Sequence, residues 1–147
     1  RLEDERRRAS RYGQPLTLVM VDIDWFKTLN DRYGHPVGNV TLRQLTDVIS
    51  SCIRDVDTLA RYGGEEFIII LPQTETAEAQ VIAERVRHRV AQTEFGPDAL
   101  VNPIPLTVSV GISCYPDNGR PDGELIESVD QALYRAKDGG RNIVCVA

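Results

Sequence analysis

TLARYGGEEFIIILP, running from Thr58 to Pro72, is the stretch on which the fold turns. It contains two short strand candidates, Thr58–Tyr62 and Glu66–Leu71, around Gly63 and Gly64, and Pro72 ends the second. Two central residues that include glycine mark a tight hairpin, and a hairpin makes its two strands antiparallel. Upstream, Leu16–Val21 is a continuous apolar run with β-branched members, the pattern of a strand buried on both faces. It stops at Asp22-Ile23-Asp24. A helical stretch over Phe26–Arg32 follows, then a turn at Gly34-His35-Pro36. Leu45, Val48, Ile49, Cys52 and Ile53 stripe one face of an amphipathic helix predicted over about Gly38 to Asp55. Downstream, Ala79, Ile82, Ala83, Val86 and Val90 stripe a helix over Glu75–Thr93, and Phe95–Pro103 is a loop. Leu106–Ile112 alternates as a strand and Tyr115–Pro121 is a turn-rich loop. A last helix ends at Gly139-Gly140, a C-cap signal, and Ile143–Val146 is a closing strand.

After a charge-dense leading helix broken at Gly13-Gln14-Pro15, the order is β-α-β-β-α-β-α-β. The arginine run of that helix, Arg6 to Arg8, reads as a solvated face. Helices interleaved with strands, and a hairpin among them, predict an α/β (α+β) domain. Its core would be ferredoxin-like, βαββαβ, with a central, mostly antiparallel sheet flanked by helices. A doubly wound sheet fits less well, because the hairpin makes neighbouring strands antiparallel.

Composition bounds the function. The chain has 147 residues, with 17 Lys and Arg against 22 Asp and Glu, for a net charge of −5, and 41% of it is apolar. That suits one domain able to bury a core without disulfides or metal staples. We read residues 1–147 as a single domain, with residues 1–12 as the end of a connector helix. The start at Arg1 rather than Met points to an output domain cut from a longer sensor or regulator. An acidic balance speaks against a nucleic-acid coat or a basic membrane-surface protein, since both need clustered positive charge. The longest apolar runs, Leu18–Val21 and Phe67–Leu71, are too short to span a bilayer. No secretory signal is visible. Cys52, Cys114 and Cys145 are scattered and odd in number, with no zinc spacing, which reads as reduced cysteines in a cytoplasmic protein.

Three places carry chemistry. A buried strand ending in Asp22-Ile23-Asp24 puts carboxylates at the mouth of a sheet, where hard oxygens suit Mg²⁺. The alternative is an Asp that caps the helix beginning near Trp25. In the hairpin, two glycines allow a ligand close to the backbone, and Glu65 can supply a second metal oxygen. The alternative there is a surface hairpin made soluble by its charges. If the first strand lies beside the hairpin, Asp22 and Glu65 converge. Two carboxylates and a backbone carbonyl then leave open metal positions for phosphate oxygens, as phosphoryl transfer requires. Lys27 lies just past the strand end, where helix N-terminal amides also favour anions. Lys137 and Arg141 lie four residues apart at the last helix end, where interaction with the helix dipole would also account for them.

Four segments, in this order, resemble the GGDEF family of bacterial diguanylate cyclases: DIDWFKTLNDRYGH from Asp22 to His35, RYGGEEF from Arg61 to Phe67, TVSVGI from Thr107 to Ile112, and ALYRAKDGGRN from Ala132 to Asn142. The resemblance runs from about Arg8 to Val146 and implies a palm-like nucleotidyl-cyclase fold. It implies condensation of two GTP into cyclic di-GMP with two pyrophosphates released, in a homodimer holding one GTP per subunit. On that resemblance Asp22, the Ile23 carbonyl and Glu65 bind Mg²⁺ (or Mn²⁺), and Glu65 or Glu66 assists deprotonation of the ribose 3′-hydroxyl. Lys27, with the Phe26 and Lys27 amides, holds phosphates. Lys137 and Arg141 meet the γ-phosphate, Asn30 contacts guanine, and His35, Gly63 and Gly64 belong to the substrate side.

The family usually reads G-H-x-x-G-D where this chain has Gly34-His35-Pro36-Val37-Gly38-Asn39. Asn39 keeps one acceptor oxygen but loses the charge and gains donors, so base selectivity relaxed toward ATP is an alternative to guanine reading. Arg54 and Asp57 stand at the spacing of the family's inhibitory product site, and Arg85 matches a further arginine of it. An ion pair at a helix end is the other reading of Arg54 and Asp57. Two further functions compete with an active cyclase. One is a degenerate GGDEF domain that binds GTP or cyclic di-GMP and signals by conformation. The other is a different Mg²⁺-dependent nucleotidyl transferase on a palm-like fold. Retention of Asp22, Lys27, Glu65, Lys137 and Arg141 favours catalysis.

Overall fold

The computed structural model describes residues 2–118 and 123–147. The elements follow in the order α1 (Leu2–Tyr12), β1 (Leu16–Ile23), α2 (Phe26–Tyr33), α3 (His35–Ser50), β2 (Thr58–Arg61), β3 (Glu66–Pro72), α4 (Thr76–Gln92), β4 (Val108–Tyr115), α5 (Gly123–Asp138) and β5 (Val144–Val146). The strands form one sheet in the order β2-β3-β1-β4-β5. β1 is antiparallel to both β3 and β4, β2 is antiparallel to β3, and β5 runs parallel to β4. β3 thus separates β1 from β2, and β1 separates β3 from β4. That is the split β-α-β arrangement of a ferredoxin-like core, and the doubly wound alternative falls.

Every residue of β1 is buried, because helices cover both faces of the sheet and neighbouring strands cover both edges. Strand alternation sorts its side chains. Val19, Val21 and Ile23 join Phe67, Ile69 and Leu71 of β3 and Val108, Val110 and Ile112 of β4 beneath α3 and α4. Leu16, Leu18 and Met20 join Ile68 and Ile70 beneath α1 and α5, packing on Ala9, Leu125, Val129 and Leu133. Each fully buried aliphatic side chain of these cores contributes about 1.5–3 kcal/mol. Asp22 continues the even-numbered set, so it faces α5. Gly111 of β4 sits where α5 comes closest. A Cβ there would lie 2.5 Å from the Leu133 nitrogen and 2.7 Å from the Val129 oxygen.

Several boundaries differ from the sequence reading, each for a local reason. The hairpin link is the four residues Tyr62–Glu65 rather than two, closed by the Tyr62 and Gly63 amides on the Glu66 carbonyl at 2.8 and 3.2 Å. Neither Gly63 nor Gly64 takes the positive φ that a two-residue turn demands. α3 starts at His35 and ends at Ser50, earlier than the predicted Gly38 to Asp55. Gly34 alone, at φ 90°, makes the turn from α2, and Pro36 sits in the first turn of α3, where its missing N–H is no loss. Beyond Ser50 the chain is turned away by the Asp57 carboxylate, which accepts from the Arg54 amide at 2.8 Å. β4 runs to Tyr115 because Cys114 and Tyr115 pair with Thr17 and Leu16. Of the predicted loop Tyr115–Pro121, Gly119, Arg120 and Pro121 lie outside the described residues. All three cysteines are free. No helix of the described residues is long and apolar enough to cross a membrane.

Candidate functional site

The site starts at the end of β1. Asp22 stands opposite Glu66 of β3 on one side and Ser109 of β4 on the other. Facing α5, it meets the last helical turn, where Lys137 Nζ donates to Asp22 Oδ2 at 2.5 Å. Asp22 is only 2% exposed, and its Oδ1 has no hydrogen-bond partner among the described residues. Burial raises its pKa, the Lys137 hydrogen bond and charge pull it back, and the Asp24 charge pushes it up again. The hairpin brings further carboxylates to the same place, held there by the bond from the Ile23 amide to the Glu65 carbonyl, 3.3 Å. Glu65 and Glu66 both have raised pKa values, first through burial and next through the charge of Asp22, with Lys137 opposing. Asp22 and Glu65 therefore converge as the sequence reading required.

The donor set fits a divalent cation. A buried carboxylate oxygen without a partner, beside carboxylates that repel one another, is a place where added positive charge stabilises the fold. Among the described residues no three His, Cys, Asp or Glu side chains form a ready ligand cluster, so the full ligand set would include main-chain oxygen.

Asp24 has a role that the sequence reading missed. It caps nothing on α2, whose N-cap is Trp25 without a side-chain bond. Instead its buried carboxylate accepts from Thr107 Oγ1 at 2.7 Å, Ser109 Oγ at 2.6 Å and the Asn142 amide at 3.0 Å. It thereby ties the end of β1 to β4 and to the loop after α5. The available signal was Thr107 and Ser109, alternating hydroxyls in an otherwise apolar strand. That loop carries Arg141, whose guanidinium lies over the Trp25 ring. Lys137 and Arg141 thus make different contacts. Lys137 bonds Asp22 rather than only complementing the helix dipole, and Arg141 lies beyond the helix.

On the other side of Asp22, Phe26 and Lys27 form the first turn of α2, with Lys27 exposed. Asn30 packs against α3 so closely that a Cβ at Gly38 would lie 1.9 Å from its Oδ1. That oxygen is buried without a hydrogen-bond partner among the described residues. Asn39 is exposed and lines a cleft of about 210 Å³ with Leu42, Arg43, Thr46, Arg61 and Phe67. Arg61 braces the hairpin loop by donating to the Gly63 and Gly64 carbonyls at 3.3 and 2.6 Å. A Cβ at Gly64 would meet nothing within 4 Å, so the backbone there is open to a ligand. His35 is exposed at the start of α3.

Arg54, Asp57 and Arg85 lie elsewhere. Arg54 donates to Asp57 from Nε at 3.1 Å and Nη2 at 2.7 Å, and from Nη2 to Thr74 Oγ1 at 2.7 Å and the Pro72 carbonyl at 3.3 Å. Arg85 Nη1 donates to the Cys52 carbonyl at 3.2 Å, on the same connection. Pro72 pairs with Leu16, whereas Glu66 pairs with Asp22. Six strand residues, roughly 20 Å, therefore separate this arginine cluster from the carboxylates.

Known proteins share this fold. The family model described as diguanylate cyclase, GGDEF domain, matches residues 1–143. Diguanylate cyclase A of Treponema denticola is 40% identical over 134 residues, which are 91% of this chain and 36% of that protein. The active GGEEF domain of a diguanylate cyclase from Vibrio cholerae superposes with a TM-score of 0.88 at 36% identity, over 97% of this chain and 89% of that one. The GGDEF domain of DgcB from Caulobacter crescentus, solved in complex with c-di-GMP, gives a TM-score of 0.90 at 31% identity, over 99% and 85%.

Proposed function

The chain belongs to the GGDEF diguanylate cyclase family, and on that premise we propose that it condenses two GTP into cyclic di-GMP, releasing two pyrophosphates. The observation that carries the proposal is the buried, half-partnered Asp22 carboxylate, held by Lys137 beside the raised carboxyls of the GGEEF hairpin. Asp22, the Ile23 carbonyl and Glu65 would hold Mg²⁺, with Mn²⁺ as a substitute. The ion, when bound, would supply positive charge against the phosphates.

The remaining work falls to side chains and amides. Lys27 and the Phe26 and Lys27 amides bind phosphate oxygens, and Lys137 and Arg141 bind the terminal phosphate. Asn30, His35 and Asn39 orient the base. Gly63 and Gly64 let the nucleotide approach the hairpin backbone. Glu65 or Glu66 takes the proton from the ribose 3′-hydroxyl; a carboxylate whose pKa is raised toward neutrality is the better base. The 3′-oxygen then forms its bond to the α-phosphorus of the other nucleotide, and pyrophosphate leaves with the electrons of the broken P–O bond. Each domain holds one GTP, so two domains must face each other, and a regulator would act by bringing two copies together. Arg54, Asp57 and Arg85 bind the product and inhibit from the far end of the sheet. We read residues 1–147 as one cytoplasmic catalytic domain with α1 as its connector. The chain spans 36% of the length of Diguanylate cyclase A; we assign sensing to an upstream domain of the full-length protein.

A second reading concerns the base. Asn39 presents a neutral amide to a cleft that also holds Arg43 and Arg61. An amide can donate as well as accept, so adenine enters the choice and a mixed cyclic dinucleotide is the product to look for. One experiment tests both readings: concentrated protein with GTP, ATP and Mg²⁺, products separated by chromatography. Cyclic di-GMP supports the cyclase, and ATP incorporation supports relaxed selectivity. No cyclic dinucleotide at any protein concentration favours a nucleotide-binding module.

A further inference from the structure

Trp25 is the single tryptophan of the chain, and it obeys neither local rule of its position. It is the N-cap of α2 yet offers no capping bond, where Ser, Thr, Asp or Asn would. Its backbone lies in the left-handed region at φ 59°, which disfavours a bulky side chain. It is also 64% exposed, so burial does not explain it. Residues that break local preferences without a packing reward mark functional positions.

Its partner is Arg141, brought from the far end of the chain. The guanidinium carbon stands 4.1 Å above the ring centroid. The other aromatic-arginine contacts among the described residues, Arg11 on Tyr12 and Arg32 on Tyr33, join sequence neighbours at 5.5 and 5.3 Å. Arg141 and Asn142 are left-handed too, at φ 65° and 50°. The two backbones are locked to each other next to the stack. Asp24, just before Trp25, accepts from the amide of Asn142, just after Arg141. The Arg141 amide bonds the Ala136 carbonyl at 3.0 Å, and Arg87 Nη1 donates to Asn142 Oδ1 at 3.0 Å. With the backbone held, the arginine side chain is what remains to be oriented. At this separation a guanidinium can stack flat on the ring, with its N–H edge outward. Among the described residues the Arg141 side chain donates one hydrogen bond, a long one of 3.4 Å to the Lys137 carbonyl. Its other donors meet no acceptor among the described residues, which suits bidentate phosphate binding.

We propose that Trp25 is a positioning residue: its ring is the platform that holds Arg141 edge-on toward the terminal phosphate of the bound nucleotide. The inference rests on the reading of Arg141 as a phosphate ligand, and the experiment separates the two. Binding of pyrophosphate and of a GTP analogue with a methylene between the α- and β-phosphates is measured by calorimetry with Mg²⁺ on the intact chain. The proteins are wild type, Trp25→Leu, Trp25→Phe, Arg141→Ala and the Trp25→Leu/Arg141→Ala double variant. An exposed cation–π contact corresponds to about a two- to fivefold change in affinity. Trp25→Leu weakens both ligands by that factor with an unchanged melting temperature, and Trp25→Phe, which keeps an aromatic face, recovers most of it. Arg141→Ala weakens them further, and the double variant is no worse than Arg141→Ala alone. In the ligand-free protein Arg141→Ala also alters the emission of the single tryptophan.

If Arg141→Ala weakens binding while Trp25→Leu does not, or if Trp25→Leu costs the same factor with and without Arg141, the platform is refuted and the phosphate reading stands. Unaltered binding in Arg141→Ala removes the phosphate reading and the platform with it. Unaltered emission in Arg141→Ala removes the stack.

Discussion

Asp24→Ala is the substitution with the largest worked consequence. The Asp24 carboxylate is 5% exposed and accepts two hydroxyl bonds of 2.7 and 2.6 Å and one amide bond of 3.0 Å. A hydrogen bond to a charged group is worth about 1.5–3 kcal/mol net, and a buried donor left without an acceptor costs about 1–3 kcal/mol. The Thr107 and Ser109 hydroxyls can rotate to other acceptors. The Asn142 amide cannot, because its direction is set by the left-handed loop. The losses therefore do not add, and the expected destabilisation is about 3–5 kcal/mol. The assay is urea unfolding at neutral pH, where the midpoint should fall with the slope unchanged. Amide exchange locates the effect: Asn142 should lose protection in conditions where the β4 amides exchange only by global unfolding. Because the loop carries Arg141, GTP binding should weaken as well. A loss below about 1 kcal/mol, or an Asn142 amide as protected as in wild type, would refute the view that Asp24 pins this loop.

Three further outcomes follow from the same packing and charges. Gly111→Ala drives a methyl into the Val129–Leu133 backbone; overpacking of this kind costs about 2–3 kcal/mol, read as a melting temperature lower by roughly 6–12 °C, and an unchanged melting curve would contradict the close approach of α5. The carboxyls of Asp22, Glu65 and Glu66 have pKa values raised by burial and mutual charge. In the window above the ordinary carboxylate pKa and up to the raised values, the folded metal-free protein binds more protons than the unfolded chain, so these groups' contribution to stability falls as pH rises. The stability difference between wild type and Asp22→Asn should therefore move against wild type with rising pH without metal, and Mg²⁺ should reverse it; a pH-independent difference would count against the site. Arg54→Ala should relieve inhibition by added cyclic di-GMP while initial turnover persists, and an unchanged inhibition curve would take the arginine cluster out of product binding.

Much of this was legible along the chain because its signals are local. The apolar run of Leu16–Val21, the stripes of α3 and α4 and the paired carboxylates after Gly63-Gly64 each act within one element. Hence element order, the antiparallel hairpin and the Asp22 and Glu65 pair could be read in advance. The hairpin turn could not, since Gly63 and Gly64 suit a two-residue turn and a four-residue one alike, and pairing with β1 chose between them. A capping Asp stayed open as an alternative because the donors to Asp24, namely Thr107, Ser109 of β4 and Asn142 in the loop after α5, are distant in sequence.

Periodicity along the chain sufficed for the ferredoxin-like layout, and four motifs sufficed for the family and the residue types at the strand end, because both signals lie among neighbouring residues. That Lys137 grips Asp22, that Asp24 ties three segments together and that Arg141 lies on Trp25 emerged with the folded arrangement. Those partners are set by strand register and by the seating of α5 on Gly111, which bring distant residues within bonding distance and leave no trace in local spacing.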